Sequence, residues 1–420
     1  MAGSVILAGA RTPIGKLSGA LASFSAMELG GYAIAAALGR AGVAPPDVDY
    51  VFMGQVLQGG QGQITARQAA TKAGIPMSVP ATTVNKVCLS GLNSIYLADL
   101  LISSGEAEVV VAGGMESMSQ APYLLLGARA GYRMGDGSLV DSMTYDGLYC
   151  QFDHCAMGLG TERYNKIAGI TREAQDSFSA LSHERATAAI KDGRFTDEIV
   201  DVSVPQRKGA PIIVDTDEGV RPGTTVESLG ALKPSFDKEG TITAGNASQI
   251  SDAAAAVVIT SKARAEQIGT TPLGEVMSYG QVAGPDASLL LQPARATRQA
   301  LEKISKSTAD VDLFEINEAF AMVGLASMAE LGINNDVTNV NGGAIALGHP
   351  IGMSGTRLAL TILHELRRRG GGLGVASLCG GGGQGDALVV RAAGCPTSLQ
   401  VTTLVGPSAR AKLFRAGEHP

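Results

Sequence analysis

Apolar residues along this chain recur with two periods, and the order in which they do so is repeated. VDYVFMGQV (49–57) and VDLFEINEAF (311–320) read as strands. Each follows an Asp-containing turn and leads into a segment rich in Gly and Ala. TTVNKVCLSGLNSIYLADLLISSG (82–105) then reads as a turn and a small-residue helix, and EVVVAGG (108–114) as a buried strand. A second set, VTNVNGGAIALGHPIGMSGTRLALTILHELRRRGG (337–371) and LGVASLCGGGGQG (373–385), repeats the sequence of strand, "VN" turn, helix, strand and glycine turn. The displacement is roughly 260 positions, which implies an internal duplication. The pattern predicts an α/β protein of two halves, each a mixed, mostly parallel sheet covered by helices.

Between about 119 and 249 the rhythm changes. This stretch holds most of the charged loops and one well-capped helix, TREAQDSFSALSHERATAAIKDG (171–193). Thr171 supplies its N-cap, Glu173 its acidic first turn and Gly193 its stop. The expected organisation is an N-terminal half over 1–118 and 250–268 and an inserted loop subdomain over 119–249. A C-terminal half over 269–392 and a peripheral tail over 393–420 complete it.

Composition narrows the function classes. With 420 residues, 45% hydrophobic and only 17% charged, the chain can build large cores and is not a disordered protein. A formal charge of −6 with no long basic run excludes nucleic acid as an expected partner. No apolar run reaches membrane-spanning length, and the start lacks the charged region of a secretory signal. The five cysteines (88, 150, 155, 379 and 395) are odd in number and follow no disulfide spacing, which points to a reducing, cytoplasmic setting.

The chemistry-bearing candidates cluster on turns. Cys88 sits where the helix of 82–105 begins, and orphan N–H groups and the helix dipole favour a thiolate there. The plainer reading is a buried small hydrophobe. His349 lies on the corresponding turn of the second half, with Pro350 suited to a first helical turn. Duplication would bring these two turns together, although a histidine on such a turn can be structural. Cys379 ends a buried run before a glycine series whose bare N–H groups can face a ligand oxygen. Its thiol could equally be incidental to a tight turn. Asn317 and Glu318 end another strand and could cap the next helix. Cys150, His154 and Cys155 lack the fourth ligand that a zinc site needs, so no metal is expected. GGQGQ (59–63) has no dinucleotide-binding context.

NKVCLSGLNSI, NEAFA, NGGAIALGHPIGMSG and CGGGGQG together resemble the thiolase family, as do ARTPIGK, VVVAGGMESMS and GNASQISDAAAAVV. The resemblance covers about 1–392 in the family's order and is nearest to the short-chain acetyl-CoA acetyltransferases. It implies a thiolase-like fold, acyl-CoA substrates, no permanently bound cofactor and a homodimer or homotetramer. It also implies that Cys88 is acylated, that Cys379 is the acid/base, and that His349 and a water held by Asn317 receive the thioester oxygen. The N–H groups of Cys88 and Gly381 would form a second oxyanion hole. Ser248, Arg221, Met157, Leu148, Ala244 and Phe320 are implied at the CoA and acyl sites. Many short-chain members carry His-Met-Gly where this chain has Ala156-Met157-Gly158. The implied reaction joins two acetyl-CoA into acetoacetyl-CoA. Alternatives are a degradative 3-ketoacyl-CoA thiolase, a ketosynthase (which has no second cysteine) and a non-catalytic acyl-CoA or lipid binder.

Overall fold

The duplication is visible strand by strand in a computed structural model, which describes residues 3–394. The first half runs β1 (Ser4–Arg11), α1 (Ala26–Ala41), β2 (Tyr50–Gly54), α2 (Thr65–Lys72), β3 (Ala81–Val84), α3 (Ser90–Ser103) and β4 (Val109–Ser117). The intervening stretch contributes α4 (Met157–Ala168) and α5 (Arg172–Lys191) before β5 (Ser251–Ser261). The second half runs β6 (Gly274–Ala283), α6 (Gln292–Glu302), β7 (Leu313–Ile316), α7 (Ala321–Leu331), α8 (Ser354–Arg368), β8 (Gly371–Gly380) and β9 (Gln384–Ala393). Ala393 therefore closes the last strand rather than opening the tail, and the tail from 395 lies outside the described residues.

The strands form one hydrogen-bonded sheet in the order β7-β8-β9-β6-β1-β5-β4-β2-β3. Its two arms are copies meeting at a short seam, where Val5 pairs with Glu275 and Ile6 with Gly274. Even the edge strand β3 has a counterpart, a single parallel bridge from Phe314 to Thr338. The sheet is mixed, but parallel pairing does not dominate as the sequence suggests. It is confined to the outer strands, β7 with β8 and β2 with both β4 and β3. Every pairing from β8 inward to β4 is antiparallel. The sequence hides this because both faces are covered: β5 is buried at ten of its eleven positions, so no polar alternation marks its direction.

Helices α3 and α8 pass between the two arms and share one core with them, including Leu92, Ile95, Leu358, Leu363, Val110 and Leu388. They cross backbone against backbone. A Cβ on Gly91 would fall 2.9 Å from the Gly352 carbonyl, and one on Gly355 would fall 2.5 Å from the Leu92 nitrogen. Helices α1 and α2 cover the outer face of one arm, and α6 and α7 that of the other. Helix α5 begins as expected, with Thr171 accepting from the Ala174 N–H. Among the described residues no helix is long and apolar enough to cross a membrane.

Candidate active site

Cys88 occupies a tight turn two residues ahead of α3. The preceding Val87 has φ +52°, a left-handed conformation that β-branched residues avoid. Ser90 ties the turn: its hydroxyl accepts from the Lys86 N–H at 2.8 Å and donates to the Val87 carbonyl at 2.6 Å. The backbone N–H groups of Cys88 and Gly381 both face the Cys88 sulfur. The expected thiolate is not favoured here. Burial pushes the Cys88 thiol up to about 12, and the nearby Glu116 carboxyl adds to the rise, so the helix start is outweighed.

His349 faces it. Its Nε2 lies 3.3 Å from the Cys88 Sγ, and its Nδ1 lies 2.5 Å from the Ser354 Oγ. The Ser354 hydroxyl donates to the Pro350 carbonyl at 2.9 Å, so towards His349 it can only accept. Nδ1 therefore carries the hydrogen and Nε2 is a bare acceptor aimed at the thiol. Burial, with Arg357 nearby, lowers His349 to about 4. The resting pair is a neutral thiol donating to a neutral imidazole, with proton transfer awaiting a substrate. Pro350 is not in the first turn of α8, which starts at Ser354. Its carbonyl instead anchors the turn by accepting from the Met353 and Ser354 N–H groups.

Cys379 is the penultimate residue of β8, opposite Gly385 of β9, and is 1% exposed. Burial raises its thiol well above the ordinary range, and the neighbouring Cys88 raises it further. The turn that follows requires glycine. Gly382 and Gly383 have φ of +78° and +66°, and a Cβ on Gly383 would overlap the Asp286 carbonyl oxygen at 1.9 Å.

Cys88, His349, Cys379 and Gly381 converge on one cavity of about 50 Å³. Leu148, Met157, Ser248 and Phe320 complete its walls with Ile351 and Leu289. A water needs roughly 10–15 Å³ by this measure, so the space suits an acyl group of a few heavy atoms. Asn317 does not line the cavity. It is fully buried, its N–H donates to the Ser377 carbonyl at 3.0 Å, and both its side-chain polar atoms lack a partner. An amide left so is ready to hold a water or a ligand oxygen. It does not cap α7, whose N-cap is Phe320 without a side-chain bond. Arg221 and Ala244 are exposed and stand away from the cavity. Arg221 follows Gly219, whose carbonyl accepts from Gln249, the neighbour of Ser248. Cys150 and Cys155 face each other across a short hairpin, and among the described residues no cluster of metal-ligating side chains forms.

Two supporting residues, Ser354 and Glu116, escape sequence reasoning, and a third, Glu318, is marked there only as a possible helix cap. Ser354 fixes the imidazole. Glu116 accepts from the N–H groups of Val56, Leu57 and Gly352 and is pushed by burial up to about 7. Glu318 accepts from Ser182, Asn339 and the Ile345 N–H, joining α5 to the His349 loop. Only its place in NEAFA marks Glu318 out, and nothing local marks the other two.

Comparison with known proteins agrees with this geometry. The family model described as "Thiolase, N-terminal domain" matches residues 4–263, and "Thiolase, C-terminal domain" matches residues 270–392. A Mycolicibacterium smegmatis protein named "Probable acetyl-CoA acetyltransferase" is 57% identical over 387 residues, covering 92% of this chain and 100% of its own. The acetyl-CoA acetyltransferase of Cupriavidus necator is 53% identical over 387 residues, covering 92% and 98%. The crystal structure of the Bacillus anthracis acetyl-CoA acetyltransferase superposes with a TM-score of 0.91 at 40% identity, over 93% of this chain and 99% of that one. Both duplicated halves thus match in order and in full, and the chain belongs to the thiolase family.

Proposed function

We propose that this enzyme joins two acetyl-CoA molecules reversibly into acetoacetyl-CoA and CoA through an acetyl-Cys88 intermediate. The observation that carries the reading is the convergence of Cys88, His349 and Cys379 on one small cavity, with the first two 3.3 Å apart. Acylation begins as the Cys88 proton passes to His349 Nε2 and the sulfur attacks the thioester carbon. The N–H groups of Cys88 and Gly381 take up the oxyanion, and the departing CoA sulfur takes the Cys379 proton. The Cys379 thiolate, made strongly basic by burial, then removes the α-proton of the second acetyl-CoA. His349, now protonated at Nε2, and a water on Asn317 stabilise the enolate oxygen. Its carbon attacks acetyl-Cys88, and the released thiolate recovers its proton from His349. Two acetyl-CoA give one acetoacetyl-CoA and one CoA: the Cys88 proton returns from His349, and the α-proton replaces on Cys379 the proton that left with CoA.

Leu148 and Met157, from the 119–249 segment, bound the acyl group, and Ser248 and Phe320 stand on the CoA side of the same cavity, with the exposed Arg221 and Ala244 serving CoA outside it. No permanently bound cofactor is needed, and the setting is cytoplasmic. Tyr123, Leu126, Met134 and Leu139 are exposed large apolar side chains within one segment, which supports self-association as a homodimer or homotetramer. The test is thiolysis of a 3-ketoacyl-CoA series. Turnover should be fastest at C4, and faster turnover at C8 and beyond would establish a broad degradative thiolase instead. Cys88→Ala should lose the acetyl mass increment on intact protein and still bind CoA. Wild-type protein without increment or thiolysis would mark a non-catalytic binder.

A further inference from the structure

Holding Val87 in a left-handed conformation beside the nucleophile requires restraint from elsewhere. Part of it comes from the other half of the chain. Lys86 Nζ donates to both carboxylate oxygens of Asp386, at 2.8 and 2.9 Å. Asp386 is fully buried on β9, opposite Leu378 of β8 and Gln281 of β6. The Tyr279 hydroxyl of β6 donates to the same carboxylate at 2.6 Å. The Tyr279 ring stacks on Tyr96 of α3, with centroids 4.3 Å apart and planes at 8°. The carboxylate is thus a fixed post between the Cys88 turn and the β8–β9 pair.

Leu378 directly precedes Cys379, and Gly381 lies three residues beyond it. The two N–H groups that face the Cys88 sulfur come from Cys88 and Gly381, one from each side of this post. Their separation is set by no covalent path shorter than the length of the duplication. An ion pair with its carboxylate buried and its ammonium partly exposed adds little net stability, because desolvation offsets its attraction. What it does impose is a distance.

We propose that the Lys86–Asp386 ion pair is a positioning device for acyl transfer, holding the Cys88 turn in register with the strand pair that carries Cys379 and Gly381. It touches no reacting atom, so both members are positioning residues. The inference rests on the acyl-transfer reading above.

The test uses full-length Lys86→Met, Lys86→Arg and the double variant Lys86→Met/Asp386→Leu, with rapid-quench acetylation by acetyl-CoA read on intact protein. Misplacement near 1 Å costs on the order of 100-fold, so Lys86→Met should acylate about 10- to 100-fold more slowly. Its KM in acetoacetyl-CoA thiolysis should move less than about twofold, because binding contacts are intact. Lys86→Arg should recover most of the rate. The double variant leaves no unpaired buried carboxylate and orphans only the Tyr279 hydroxyl, so it should melt above Lys86→Met and still acylate slowly. A double variant that acylates at the wild-type rate overturns the proposal. So does a Lys86→Met loss fully explained by its unfolded fraction. Wild-type protein that gains no acetyl mass would refute the acyl-transfer reading itself, a distinct failure.

Discussion

Ser354 offers the sharpest test of how His349 works. Its hydroxyl, 2% exposed with its residue, is committed to the Pro350 carbonyl and so presents only a lone pair to His349 Nδ1. In Ser354→Ala the Nδ1 hydrogen loses its acceptor inside the protein. A buried donor left unsatisfied costs about 1–3 kcal/mol. The imidazole escapes that cost by moving its hydrogen to Nε2, where it points at Cys88 and no longer accepts the thiol proton. The productive tautomer then falls by roughly 5- to 150-fold, since about 1.4 kcal/mol is tenfold. Acetylation of Cys88 should slow by that factor, with KM for acetoacetyl-CoA nearly unchanged. Ser354→Thr keeps the oxygen and should recover part of the rate. Single-turnover acetylation followed by intact-protein mass measures the loss directly. If Ser354→Ala acylates within twofold of wild type while His349→Ala does not acylate, the serine does not set the tautomer and the proton path drawn here is wrong.

Cys379→Ala should still gain the acetyl group, slowed by loss of the proton for the CoA sulfur, but should form no acetoacetyl-CoA; a condensing Cys379→Ala would reassign the base. Two buried groups should act on the pH dependence of stability in opposite senses. His349 titrates near 4 when folded, against about 6.5 unfolded. The unfolded chain therefore binds more protons between those values, and stability falls as pH drops from about 6.5 towards 4. Glu116 titrates near 7 when folded, against about 4.3 unfolded. Its contribution is present below about 4.3 and is lost as pH rises through 7. The two contributions cancel between about 4.3 and 6.5, so denaturation midpoints measured from pH 4 to 9 should stay level to about 6.5 and fall as pH rises through 7, and Glu116→Gln should flatten that alkaline arm. An unchanged alkaline arm in that variant would exclude Glu116 as its source.

The motif residues were legible because the chemistry fixes both their type and their turn. Cys88, His349, Cys379 and the glycine series each stand at a place the alternating pattern marks as a strand or helix end. The protonation state of Cys88 was not legible. A helix start argues for a thiolate, but the depth of burial that reverses it depends on walls from distant segments, such as Leu148 and Phe320. Ser354 was invisible for a similar reason, since its role depends on which neighbour takes its single hydrogen. Strand direction was misjudged because β4 and β5, though antiparallel neighbours, are separated by the whole intervening segment, and both are buried on each face. The capping role expected of Asn317 gives way to Phe320, which begins α7.

The crossing of α3 and α8 at Gly91 and Gly355 has an evolutionary side. Cys88 and His349 are mounted on the stems of these two helices, so their spacing is inherited from the centre of the molecule. Other walls of their shared cavity, Gly147–Leu148 and Met157, come from a separate stretch of chain. Mutation along 143–157 can therefore reshape the cavity while Cys88 and His349 stay in place. The same separation restrains the core. A side chain larger than hydrogen at either glycine would drive the stems apart and disable every substrate at once, so divergence within such a lineage should be written in the pocket segment and erased at the crossing.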